Sequence, residues 1–253
     1  MSFFVRRTQP NRDEDLGDPT PDHESLGEWV EDWASRTPTG TFGTYQYTDF
    51  GFAASGYIVD VVTGVPISTF TEERIIQPLG LRDTSTGFSS EPAWRARLNP
   101  WYRWNERAGA YDLRWASDWS GWTFYPAAWG LFSTALDYAV FMAMWMNKGE
   151  WKGTRLLSEQ TVKGALQPHG RISEFFSYGY GWFLDEIDGA DIRPFSHGGG
   201  DGTQSIAFPA DDAIVILLTH SRWGPWGDAF WNRVGMSGLF EHQPGLGIDR
   251  LME

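Results

Sequence analysis

The chain has 253 residues and a formal net charge of -13, with 20 Lys and Arg against 33 Asp and Glu. That balance disfavours nucleic acid and anionic membrane surfaces as partners, since both are gripped by clustered Lys and Arg. With no cysteine, disulfides, thiolate catalysis and zinc-thiolate sites are excluded.

The length suits one substantial core, or a main domain with a helical subdomain. Residues 1–24 are charged, proline-bearing and poor in large apolar side chains, so a flexible tail is expected ahead of a domain over 25–253. That domain reads as helical to about residue 170, with a sheet and a C-terminal helix from about 171 to 253. The opening MSFFVRRTQPNR lacks the apolar h-region of a signal peptide, which puts a complete chain in the cytoplasm. No apolar run reaches the length of a membrane span.

Ser25 to Arg36 predicts a short helix with Leu26, Trp29, Val30 and Trp33 on one face. A second helix is predicted from a Thr48 or Asp49 cap to Gly64, with Phe50, Ala53, Ala54, Tyr57, Ile58, Val61 and Val62 forming one buried face. Tyr47 stands just ahead of that cap, where backbone N–H groups and the helix dipole favour negative charge. Two readings follow: a phenol with a lowered pKa that shuttles a proton, or a core aromatic with a wet hydroxyl. Pro66 opens a further helix with Ile67, Phe70 and Ile75 inward and Pro78 at its end.

From Trp94 to Trp129 the chain is rich in aromatics that no helical or strand period organises. A loop lining a cleft around a ring-bearing substrate and plain packing over the core are both open, while sugar stacking has no paired catalytic carboxylate behind it. Ser133 is expected to cap a helix through Asn147 with Leu136, Val140 and Met144 inward, and Ser158 a shorter one carrying Val162 and Leu166. Tyr178 to Leu184, Pro194 to Phe208 and Ala213 to His220 read as strands, with a hairpin turn at Pro209 to Asp212. The run Ala213 to Leu218 is apolar at every position, so a central strand covered on both faces is expected. Trp226 to Phe240 reads as a covering C-terminal helix.

The second chemical candidate is His197-Gly198-Gly199-Gly200-Asp201-Gly202. Glycines on a strand admit a ligand or another backbone closely, and an imidazole beside them can bind an acyl group. A bulged strand with a hydrogen-bonded histidine explains the same residues.

Tyr47-Thr48-Asp49, Gly51-Phe52, Val61-Val62-Thr63-Gly64, Ile75 to Leu81 and Asp83-Thr84 resemble the middle of the serine β-lactamase-like family, which includes class C β-lactamases, D-alanyl-D-alanine carboxypeptidases and related esterases. Gly130 to Asp137, Arg155 to Ser158 and Phe195 to Gly200 match it further, in collinear order over about residues 25 to 240. The resemblance implies an α+β, β-lactamase/transpeptidase-like fold: an antiparallel sheet with flanking helices plus a helical subdomain. It implies that His197 takes the place of the Lys or His facing the nucleophile, that Gly199 and Gly200 belong to the oxyanion and substrate-binding strand, and that Tyr47 passes a proton. Asp49 replaces the family's usual Asn, exchanging an amide that donates and accepts for a carboxylate that only accepts. Esters therefore suit the site better than amides.

The family's Ser-x-x-Lys nucleophile pair does not occur: Lys148, Lys152 and Lys163 follow Trp145, Gly149 and Gln160 at three residues' distance. The N-terminal strands and nucleophile helix are thus expected to be missing, leaving either a serine hydrolase of the acyl-transfer type without its usual nucleophile, or an inactive pseudoenzyme that binds a small acyl ligand or partner chain. Uncovered sheet and cleft surface would favour self-association. An α/β-hydrolase is rejected because no Gly-x-Ser-x-Gly follows the His-Gly-Gly-Gly run. The five histidines lack paired ligand spacing, no phosphate loop is present, and neither a metal nor a cofactor is called.

Overall fold

A computed structural model describes residues 23–36, 45, 47–87, 92–115, 124–173, 176–185, 193–200 and 202–222. Most of the expected tail, Trp119, Trp122, Asp201 and the expected helix over 226–240 lie outside the described residues.

Ser25 accepts the Glu28 N–H at 3.2 Å and starts α1 (Leu26–Ala34). Thr48 caps α2 (Asp49–Thr63) by accepting the Phe50 N–H at 3.2 Å, and Gly64 closes it in the left-handed region at φ 69°. The next run is α3 (Ile67–Thr71), a π-turn over Glu72–Ile76, and α4 (Gln77–Leu79), stopped by Gly80 at φ 68°. Pro78 therefore lies inside the last turn and does not end the helix. It has no N–H to give, and the helix closes beyond it, where the Leu81 N–H reaches the Ile76 carbonyl at 3.0 Å around the left-handed Gly80.

There follow β1 (Ser85–Thr86), α5 (Pro92–Arg95), β2 (Trp101–Asn105), β3 (Ala110–Trp115) and β4 (Leu131–Phe132). The aromatic stretch thus contains a hairpin: β2 and β3 pair antiparallel across Glu106 to Gly109, with Trp104 opposite Tyr111 and their rings 5.1 Å apart. The alternation is present in β3, where Tyr111, Leu113 and Trp115 interleave with Asp112 and Arg114, but β2 has aromatics at both alternate sets of positions, Trp101 against Tyr102 and Trp104. Then come α6 (Ala135–Met146), β5 (Glu150–Trp151), β6 (Thr154–Arg155) and α7 (Glu159–Ala165). Thr134, rather than Ser133, caps α6 by accepting the Asp137 N–H at 3.3 Å. Ser133 is occupied by a 2.9 Å hydrogen bond with Thr84. Ser158 caps α7 as expected, accepting the Thr161 N–H at 3.0 Å.

The remaining strands are β7 (Gly170–Arg171), β8 (Phe176–Tyr178), β9 (Phe183–Asp185), β10 (Phe195–Gly198), β11 (Gln204–Phe208), β12 (Ala213–Leu217) and β13 (Ser221–Arg222). Two expected strands are therefore hairpins. Tyr178 to Leu184 turns at Gly181, φ 82°, and Pro194 to Phe208 turns through its glycines. Between β11 and β12 the expected turn is a short 3-10 stretch, Pro209–Asp211.

The chain divides into two compact units. The first comprises residues 1–96 and 119–137. Its core is Leu26, Trp29, Val30, Phe50 and Ala53, against which Phe124 and Trp129 pack, the latter edge-on to Trp29 at 5.4 Å. Gly56 permits close approach there, because a Cβ on it would lie 2.5 Å from the Ala127 Cβ. The packing takes Phe50, Ala53 and Gly56 of α2, while Ile58, Val61 and Val62 stand 59, 66 and 78% exposed. The expected buried stripe thus ends halfway, since the α1 contact covers the first turns only. The aromatics Phe124 and Trp129, with Trp94 edge-on to Phe132 at 5.2 Å, serve packing.

The second unit comprises residues 97–118 and 138–253. Its six-stranded antiparallel sheet runs β12-β11-β10-β9-β8-β7. Met142, Val162, Leu166, Trp182, Leu184, Phe195 and Ala207 form its core, with Tyr138, Phe141 and Trp145 of α6 against it. Leu136, expected inward, is 82% exposed. The apolar strand β12 is not central: it is the end strand among the described residues, and all five of its residues are only half-buried. Apolar side chains on both faces report what covers the faces and say nothing of what pairs with the edge. Among the described residues no single helix is long and apolar enough to cross a membrane.

Candidate functional site

In the first unit, the Thr48 cap puts Tyr47 immediately before α2 and Asp49 in its first turn. The acid sits where the unpaired N–H groups and dipole of a helix favour it. Tyr47 is 44% exposed and lies 6.1 Å, ring to ring, from Phe52. Its phenol is nevertheless pushed above the ordinary tyrosine range, first by desolvation, then by the Asp49 carboxylate and Tyr45. This is the reverse of the lowered pKa expected from the helix start: the negative carboxylate adjoining the phenol opposes a second negative charge. Tyr47 therefore holds its proton at neutral pH.

In the second unit, β10 ends in the glycine run. His197 pairs with Ser205 and Gly198 with Gln204 across the hairpin. The Gly199 N–H donates to the Thr203 carbonyl at 2.8 Å, and the Gly202 N–H to the Gly199 carbonyl at 3.0 Å. The Gly199 N–H is thus engaged in the turn. A side chain at Gly199 would put its Cβ 2.3 Å from Thr203 Oγ1, so any larger residue there obliges the Thr203 hydroxyl to turn away. Gly198, Gly199 and Gly200 are all exposed.

His197 is half-buried beside them. Burial lowers its pKa from the ordinary 6.5, against a smaller raising effect of a hydrogen bond to the Gly198 backbone, so the ring is neutral at pH 7. Its Nε2 lies 3.1 Å from the Tyr178 hydroxyl, and its carbonyl accepts from Ser205 Oγ at 3.1 Å. The Phe183 ring is 5.5 Å away.

Tyr47 and Asp49 are therefore neighbours in one unit, and His197, Gly199 and Gly200 neighbours in the other. Tyr178, Phe183 and Ser205 were not legible as site residues. Tyr178 and His197 are 19 positions apart, and only the strand pairing brings them together.

A family model described as Beta-lactamase matches residues 7–237. A protein of Escherichia coli O157:H7, provisionally named a D-alanyl-D-alanine carboxypeptidase, is 27% identical over 210 residues, covering 72% of this chain and 46% of that protein. An N-acetylmuramyl-L-alanine amidase of Bacillus subtilis (strain 168) is 27% identical over 211 residues, covering 74% and 46%. The chain spans about half the length of the curated relatives it matches. Among solved structures, the penicillin binding protein from Bacillus halodurans superposes with TM-score 0.68 at 22% identity, covering 90% of this chain and 68% of that one. The helices and antiparallel sheets are thus those of an α+β fold of the β-lactamase and penicillin-binding-protein type. On the family match, which takes in both chemical stretches, the chain belongs to the beta-lactamase family.

Proposed function

We propose that the chain is a hydrolase of the serine acyl-transfer type, acting on a small acyl compound with an ester, amide or lactam bond. The observation that supports this is the family match over residues 7–237, which spans Tyr47-Thr48-Asp49 and His197 to Gly200 together. In this reading Tyr47, protonated at neutral pH, delivers a proton to the leaving group, and the neutral His197 takes the position facing the nucleophile. The Gly200 N–H supplies an oxyanion donor, a contribution typically worth a few kcal/mol in the transition state. Asp49 accepts but cannot donate, which favours esters over amide-bearing substrates.

The test is intact-mass spectrometry of the folded chain after incubation with a fluorophosphonate, which phosphonylates activated serines with loss of fluoride. One stoichiometric adduct supports the hydrolase and maps its nucleophile. No adduct on protein shown to be folded by circular dichroism rejects it for this chain.

A second reading, a catalytically inactive chain that binds a small acyl ligand or a partner, is favoured by one observation: none of the three lysines lies three residues after a serine. Self-association belongs to either reading. Ile58, Val61 and Val62, 59 to 78% exposed on α2, offer apolar surface to a second copy.

A further inference from the structure

We propose that Tyr178 is a positioning residue for His197, holding the imidazole in one orientation with its lone pair on Nε2. Strand β9 separates β8 from β10, so Tyr178 must reach over a strand to touch His197. Phe183 of β9 makes that reach rigid. It is the register partner of Tyr178, the two rings meet edge-on at 4.8 Å, and the Phe183 ring in turn lies 5.5 Å from the imidazole. Across this aromatic step the Tyr178 hydroxyl arrives 3.1 Å from Nε2.

The backbone of His197 is held from the other side. Ser205 Oγ donates to the His197 carbonyl at 3.1 Å. A phenol donates far more readily than it accepts, and the bare nitrogen of a neutral imidazole is the strong acceptor of the pair. The proton of the neutral ring then sits on Nδ1, Nε2 carries the lone pair, and Tyr178 is the donor. Tyr178 thus presets which nitrogen can take up a proton. Its effect on turnover rests on the acyl-transfer reading, but its effect on the ring does not.

The test is long-range proton–nitrogen NMR of the histidine-labelled full chain at about pH 8, above the ordinary imidazole range. His197 in the unaltered chain is expected to show a protonated Nδ1 and a bare Nε2. Tyr178→Phe keeps the ring over Phe183 and removes only the hydroxyl; it should shift His197 towards a mixture of both tautomers, while the other four of the five histidines stay unchanged and report that the fold is intact. Ser205→Ala, which leaves the hydroxyl on Nε2, should keep the Nδ1–H pattern. A His197 pattern unmoved by Tyr178→Phe on folded protein overturns the proposal. Should that variant unfold, a protonated Nε2 in the unaltered chain overturns it equally. On an ester that the chain turns over, Tyr178→Phe should lower kcat about tenfold with KM changed less than about twofold. Absence of turnover in the unaltered chain would refute the hydrolase reading and leave the NMR outcome to decide the role of Tyr178.

Discussion

The Asp49 carboxylate raises the pKa of the Tyr47 phenol across the start of α2, acting in the same direction as the larger effect of desolvation. The carboxylate that stands where the resembled family has an Asn therefore adds to burial in keeping the phenol neutral. Asp49→Asn removes the charge and should bring the Tyr47 pKa down part of the way, leaving the contribution of burial. Carbon-13 NMR of the tyrosine ring carbons through alkaline pH checks this. An unchanged or higher Tyr47 titration would contradict it.

Asp185 closes β9, and burial raises its carboxyl from an ordinary 3.8 to about 6. A raised folded-state pKa means that the neutral form is favoured in the fold: the stability it contributes is fully present below about 4 and is lost as pH rises through about 6. Asp185→Asn should therefore leave stability at pH 4 nearly unchanged and stabilise the protein above pH 6, by a maximum on the order of 2–3 kcal/mol. Urea unfolding of both proteins at these two pH values measures the difference, and equal midpoints above pH 6 would count against it.

The glycine run should be unequal in its tolerance. A Cβ at Gly199 meets Thr203 Oγ1 at 2.3 Å, whereas one at Gly198 comes no nearer than 3.3 Å, to the Thr203 carbonyl. Gly199→Ala is expected to lower the thermal midpoint more than Gly198→Ala, by roughly 1–3 kcal/mol of stability for the former. Calorimetry of the two variants side by side would reverse the assignment if Gly198→Ala proved the worse.

Val62 is 78% exposed on α2. Val62→Glu should leave the fold and its midpoint within about 0.5 kcal/mol of the original while reducing self-association. Sedimentation velocity over a range of concentrations reads this directly. A chain monomeric at all concentrations before substitution would remove the basis for a second copy on this face.

Phe195 is fully buried at the centre of the second unit, with its ring 4.9 Å from that of Trp182. Phe195→Ala should cost about 3–5 kcal/mol, as a cavity among Leu184, Trp182 and Ala207 cannot collapse. Denaturant titration gives the number; a loss below about 1 kcal/mol would show that β10 is not the packed centre of this unit.

The local elements with complete signals were legible in the chain itself. Ser25, Thr48 and Ser158 followed by apolar residues at helical spacing, and Gly64 at the end of α2, announced helix boundaries because capping depends on neighbours within one turn. The family wording around Tyr47-Thr48-Asp49 and His197 to Gly200 likewise marked the two stretches from which the site is proposed. Which faces are buried was not legible. Val61 and Val62 continue the apolar stripe of α2 and Leu136 opens that of α6, yet all three are exposed, because burial needs a partner element and no local pattern says where one ends. For the same reason β12, apolar throughout, falls at the end of its sheet among the described residues, while in the Trp101 to Trp115 hairpin the clean alternation of β3 was masked by β2, whose aromatics fall at both alternate sets of positions. Tertiary structure alone decided the setting of the site: strand order carries the Tyr178 hydroxyl to His197 Nε2, and the turn that joins β10 to β11 engages the Gly199 N–H. Those contacts are made by residues distant along the chain, so their physics begins only when the strands have paired.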